Sequence, residues 1–175
     1  MVSVASRRAV FPGSFNPLTV AHLEIANLAR EQHDLDEVHF VVSHSALDKP
    51  DPEGPPFDQR VALLKADAQA HDWLVVETTE LQLIADIAQG YDAVIMGADK
   101  WFQVNDERYY ASEIERDAAV ARLPTVIVAE RAGQVVDDSR ATALRTPSEL
   151  HHVSSTAARA GARYLMAPKA RESWN

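Results

Sequence analysis

The 175-residue sequence predicts a single doubly wound α/β domain, a parallel sheet with helices on both faces, and three observations carry that expectation. Short β-branched runs alternate with longer amphipathic stretches, which is how parallel strands and their crossover helices read in sequence. The first apolar run leads into Pro12-Gly13-Ser14 and then into a helical pattern, as a strand–turn–helix unit does. No internal repeat breaks the alternation, and the length suits one well-filled core, taken as residues 1–175 with a C-terminal tail from about residue 163.

Strands are expected at residues 9–11, 37–42, 73–77, 93–96 and 125–129, with a short sixth at 150–153. Helical patterns fall between them at 20–30, 57–70, 80–89, 107–121 and 155–162. Residues 48–56, DKPDPEGPP, hold four prolines, a glycine and three acids, so they form a loop. Loops of this kind often cover a ligand in α/β domains.

Composition narrows the function. The absence of cysteine excludes a disulfide framework and a thiolate metal site. No apolar run reaches the roughly 18 residues of a membrane span, and the opening MVSVASRRAVF lacks a signal-peptide core, so a cytoplasmic protein without a membrane partner is expected. A net charge of −9 argues against nucleic acid as a partner. A small triphosphate would need local cations, for which Lys49, Arg131 and Arg159 are the candidates. His151 and His152 lack a third ligand placed by sequence, so no metal site is expected there.

Residues 9–22, AVFPGSFNPLTVAH, describe a phosphate site. Gly13 lets backbone approach a ligand closely, and the N-terminus of the next helix presents unpaired N–H groups and a positive dipole end. Thr19 and His22 are three apart and share a helix face near that end. Residues 151–159, HHVSSTAAR, describe a second clamp: Ser154, Ser155 and Thr156 suit a helix cap, and Ser155 and Arg159 lie four apart on one face. An arginine fork matches phosphate oxygens. In an open doubly wound sheet, ligands sit beyond the C-terminal strand ends where strand order reverses. The turn after the first strand, the loop after Val42, Gly97–Asp99 and Ser154–Arg159 all follow expected strands, so they should converge at one end of the sheet.

Residues 13–22 resemble the GxFxPxHxGH signature of the HxGH nucleotidyltransferase superfamily, with Gly13, Phe15, Pro17, Thr19, Ala21 and His22 in its positions. Thr19 in place of the first histidine is the form seen in phosphopantetheine adenylyltransferases, and Ala21 replaces the usual glycine. Residues 153–159 resemble the ISSTxxR motif of the same superfamily. Met96-Gly97-Ala98-Asp99 looks like the GAD segment of nicotinate and nicotinamide mononucleotide adenylyltransferases, and Arg131-Ala132-Gly133 looks like their Arg-x-Gly turn. Lys49 is placed like the lysine after their second strand, and FDQRVALL resembles their next helix, in which Arg60 would have a structural or loop-orienting task.

The resemblance implies a Rossmann-like nucleotidyltransferase fold and adenylyl transfer from ATP to a pyridine mononucleotide, with Mg2+ sharing the triphosphate charge. It implies catalytic roles for Thr19, His22 and Arg159. Gly13, Ser14, Phe15, Gly97, Asp99, Arg131, Ser154, Ser155 and Thr156 would bind the nucleotide. Lys49 would bind the acceptor, and Trp101 or Phe102 would give it an aromatic platform. Alternatives are phosphopantetheine adenylyl transfer, cytidylyl transfer, and a nucleotide-binding protein without activity; a homo-oligomer is also expected.

Overall fold

The computed structural model describes residues 6–45, 54–131 and 133–174, so Lys49 and most of the expected 48–56 loop lie outside the described residues. Six strands form one parallel sheet: β1 (Arg8–Pro12), β2 (Glu37–Ser43), β3 (Leu74–Thr79), β4 (Ala93–Gly97), β5 (Thr125–Ala129) and β6 (Thr142–Leu144). Their order across the sheet is β3-β2-β1-β4-β5-β6. The chain therefore builds outward from β1 to β3, returns to place β4 beside β1, and builds outward the other way. Strand order reverses between β1 and β4, which makes their C-terminal ends the natural ligand crevice.

Alternation along each strand supplies two cores. Ala9, Phe11, Val38, Phe40, Ile95 and Ile127 face α1 (Val20–Gln32) and α2 (Phe57–Ala68), which contribute Ala26, Ala29, Leu64 and Ala68. Val10, Val94, Met96 and Val128 face the other way, toward α3 (Ile84–Ile87), α4 (Ala98–Val104) and α5 (Glu113–Ala121). The doubly wound Rossmann-like architecture is the one the sequence predicts. No helix among the described residues is long and apolar enough to cross a membrane.

Several local expectations are corrected. The sixth strand is Thr142–Leu144, parallel to β5, whereas 150–153 falls in and just after a 3-10 turn at Ser148–His152 that begins behind Pro147. Proline fixes φ and suits the start of such a turn, and three strand residues are too few to show a period. The helix expected at 80–89 shrinks to the single turn α3, because Ser43 Oγ donates to the Leu81 carbonyl at 2.7 Å and Thr79 Oγ1 accepts the Leu81 N–H at 3.1 Å. Those side chains hold residues before α3 outside helical geometry. The stretch expected as one helix at 107–121 divides into a 3-10 turn, Glu107–Tyr109, and α5, whose cap is Ser112.

The expected tail is folded. After α6 (Ser155–Arg159) and a 3-10 turn at Arg163–Leu165, α7 (Pro168–Ser173) docks on α2. Met166, Ala170 and Trp174 form a small buried cluster with Ala158. Buried Asp67 accepts the N–H groups of Lys169 (2.8 Å) and Ala170 (3.1 Å), capping α7 from a neighbouring helix.

Candidate active site

The turn after β1 is built around aromatic packing. Gly13 donates its N–H to the Val41 carbonyl at 3.1 Å, and a Cβ there would come within 2.9 Å of the Phe15 ring. Phe15 takes a positive φ of 43° and turns its side chain inward, stacked on Phe40 (4.5 Å) and edge-on to His22 (5.1 Å). The Phe15 side chain is thus buried in the first core, and only its backbone remains at the turn.

Thr19 is the N-cap of α1 and closes a capping box with His22. Its Oγ1 accepts the His22 N–H at 3.4 Å, while His22 Nδ1 accepts the Thr19 N–H at 3.1 Å and lies 2.8 Å from the hydroxyl. A backbone N–H pointed at Nδ1 places the imidazole proton on Nε2. Crowding by neighbouring atoms, helped by the nearby Arg131 charge, pulls the His22 pKa from 6.5 to about 4. His22 is therefore neutral at physiological pH and offers Nε2–H as a donor. Thr19, to which the resemblance gave a catalytic role, is 0% exposed and engaged with His22, so it positions the histidine.

Gly97 ends β4 and caps α4, and the Asp99 carboxylate folds back over it, so that a Cβ would sit 2.7 Å from Oδ1. Asp99 lies 3.9 Å from Arg131, which follows β5; both are well exposed (60% and 40%), a loose pair with little stabilising effect. His22, Asp99 and Arg131 thus converge from three elements at the sheet's reversal point. The platform role expected of Trp101 is overturned. Trp101 is 2% exposed, packs in the second core, and carries the Arg140 guanidinium over its ring at 5.4 Å. Residues 98, 101 and 104 form the buried stripe of α4, which leaves Phe102 49% exposed.

The second motif is bound to the first. Ser154 caps α6 by accepting the Ala157 N–H at 3.0 Å, Ser155 donates to the Pro17 carbonyl at 2.8 Å, and Arg159 donates Nη1 to the Asn16 carbonyl. Thr156 is exposed beside them. The motif follows a 3-10 turn instead of a strand, yet these bonds bring it to the same crevice. Sequence reasoning gave no partner for Arg60, whose guanidinium is buried against the turn and donates to the Ser14 carbonyl at 3.2 Å.

A family model described as cytidylyltransferase-like matches residues 10–161. The chain belongs to this family. Among its relatives, a probable nicotinate-nucleotide adenylyltransferase from Bacteroides thetaiotaomicron is 29% identical over 120 residues, covering 61% of this chain and 58% of the relative. A protein of the same description from Hydrogenobaculum is 30% identical over 95 residues, 54% of this chain and 49% of its own. A phosphopantetheine adenylyltransferase from Corynebacterium diphtheriae is 37% identical over 95 residues, covering 52% and 55%. The chain spans about half to three-fifths of the length of the nicotinate-nucleotide adenylyltransferase-like relatives from Hydrogenobaculum, Bacteroides thetaiotaomicron and Coprothermobacter proteolyticus. In fold it is similar to the Plasmodium falciparum nicotinic acid mononucleotide adenylyltransferase complexed with NaAD, with a TM-score of 0.66, 16% identity, and coverage of 89% of this chain and 83% of that one.

Proposed function

We propose that this cytidylyltransferase-like chain transfers the adenylyl group of ATP to nicotinate or nicotinamide mononucleotide. An oxygen of the mononucleotide phosphate attacks the α-phosphorus, the bond to the bridging oxygen breaks, and pyrophosphate leaves. The nucleophile is already an anion, so the protein needs no general base and acts by positioning and charge stabilisation. The observation that carries the reading is the neutral His22, whose Nε2–H has no partner among the described residues and stands near the Arg131 charge at the β1/β4 reversal. There it would donate to an α-phosphate oxygen as charge develops.

The other assignments follow from placement. The backbone of Gly13, Ser14 and Phe15 lines the turn; Gly97 and Asp99 border the ribose; Thr156 and Arg159 hold the departing phosphates, with Ser154 and Ser155 fixing that clamp. Lys49 and Phe102 are proposed on the acceptor side. Among the described residues no three His, Asp or Glu side chains cluster as ligands for an ion. Mg2+ would thus arrive on the triphosphate oxygens, where it neutralises charge. A cytoplasmic homo-oligomer is the proposed setting.

Two observations favour a second reading, phosphopantetheine as the acceptor: Thr19 stands in the first motif, and the relative of that description is 37% identical over its matched span. The test is pyrophosphate release with Mg2+ and ATP or CTP, offered nicotinate mononucleotide, nicotinamide mononucleotide and phosphopantetheine separately. Release with ATP and a pyridine mononucleotide is expected. Release with phosphopantetheine alone moves the assignment to the second reading, and release with none, while ATP still raises the melting temperature, leaves a binding protein.

A further inference from the structure

Two charged side chains are buried on α2, and they differ in company. Asp67 has two helix N–H groups; Arg60, 9% exposed, has no carboxylate among the described residues. Its guanidinium donates Nη1 to the Ser14 carbonyl at 3.2 Å and lies 5.5 Å from the Phe57 ring centre, and its buried Nε has no hydrogen-bond partner among the described residues. Burial pulls its pKa below the ordinary arginine value. The position is unfavourable in two ways. A buried charge without a counter-ion carries a desolvation penalty, and Arg60 is the fourth residue of α2, at the helix end that repels cations. An apolar side chain of the same length would suit stability better.

The Ser14 carbonyl supplies a reason for it. A trans peptide is planar, so the carbonyl of Ser14 and the N–H of Phe15 belong to one unit and point in opposite directions. With the carbonyl anchored on Arg60, the Phe15 N–H is directed away from α2, and it has no partner among the described residues. A cation at the carbonyl end polarises the unit and strengthens the donor at the other end. A carboxylate beside Arg60 would cancel that effect.

We propose that Arg60 is a positioning residue, fixing and polarising the Ser14–Phe15 peptide so that the Phe15 N–H stands ready for a phosphate oxygen in the crevice. The identity of that anion rests on the adenylyl-transfer reading; the geometry of the peptide does not. This role accounts for a guanidinium that folding alone disfavours.

The experiment follows the Phe15 amide of the full chain by NMR, in the wild type, Arg60→Met and Arg60→Lys, without ligand and through a titration with inorganic pyrophosphate. Melting temperature, kcat and KM are read in parallel. In the wild type, pyrophosphate should shift the Phe15 amide proton downfield. In Arg60→Met that proton should already move upfield without ligand, and pyrophosphate affinity should fall about tenfold, because the Phe15 N–H stays but loses its polarisation and its fixed direction. Its melting temperature should hold or rise. Arg60→Lys keeps a cation without the fork and should recover part of both signals; if Arg60→Met does not fold, the lysine variant decides by the same readings.

A ligand-free Phe15 signal and pyrophosphate affinity equal to wild type in the variants would overturn the proposal, as would a wild type whose Phe15 amide ignores pyrophosphate. Wild-type protein that binds pyrophosphate at Phe15, yet turns over no acceptor, would instead remove the adenylyl-transfer reading and leave Arg60 in place.

Discussion

His22 reaches the crevice as a neutral donor because its own helix cap occupies its other nitrogen. Three consequences are measurable. Turnover should show no inflection near pH 6.5 from this group, and His22→Ala should lower kcat by about 100-fold or more, the usual effect of removing one donor to developing charge. The third consequence is a stability slope. The folded pKa of about 4 lies below the ordinary 6.5, so between these values the unfolded chain takes up the proton more readily. Stability from His22 is therefore complete above about pH 6.5 and is lost as pH falls toward 4, by at most about 3 kcal/mol. Urea unfolding at pH 7.5 and 4.5 checks this: the difference should shrink in His22→Asn, and an undiminished difference would assign the slope elsewhere. The three-residue spacing of Thr19 and His22 was legible because a capping box is local. Arg131 was legible as a candidate cation only through composition and the family resemblance, since its approach depends on β5 lying beside β4.

Trp101 gives the opposite lesson at the same scale. The family resemblance implied an aromatic platform at Trp101 or Phe102, but the phase of α4 sends Trp101 to the second core. Trp101→Ala should lower unfolding free energy by about 3–5 kcal/mol through the cavity it leaves. Trp101→Phe should leave the KM for both nucleotides unchanged in initial-rate assays; a several-fold rise would return the ring to the binding site. Had α4 been recognised as a helix, the 98, 101, 104 spacing would have placed Trp101 correctly.

Among the elements, α2 links the site to the end of the chain. Its Asp67 caps α7, and α7 is preceded by Ala167, whose N–H donates to the Leu18 carbonyl at 2.9 Å, and by Met166, which bridges to Thr19. Asp67→Ala removes the acceptor of two first-turn N–H groups and should destabilise the chain by about 2 kcal/mol. A shifted denaturation midpoint with unchanged slope, together with faster amide exchange across α7, is the expected record. Unchanged exchange at Lys169 and Ala170 would show that α7 does not depend on this cap. The strands were legible where four or more β-branched or apolar residues ran together, as in β2 and β4. β6 and α7 were not, because each is short and defined by the surface it docks on.

Across the whole molecule, residues distant in sequence meet at one strand reversal. Ser155 and Arg159 bond to Pro17 and Asn16 across 138 and 143 positions, and the segment beyond them returns to Leu18 and α2. Residues 166–174 therefore brace the Leu18–Thr19 segment and α2. A chain ending at Ala162 would lose the burial of Met166, Ala170 and Trp174 and leave the Asp67 carboxylate without its N–H partners. At roughly 1.5–3 kcal/mol for each large side chain, plus the stranded carboxylate, the loss is about 5–8 kcal/mol, comparable to the total stability of many domains. The truncated chain should show a broad or absent unfolding transition at 37 °C. Pyrophosphate stabilises only by binding the folded form, by about 2.7 kcal/mol at a hundredfold excess over Kd, so it should not restore the transition. A sharp transition with wild-type pyrophosphate affinity would mean that the Asn16–Thr19 segment holds its shape unaided, and that the C-terminal segment is packing alone.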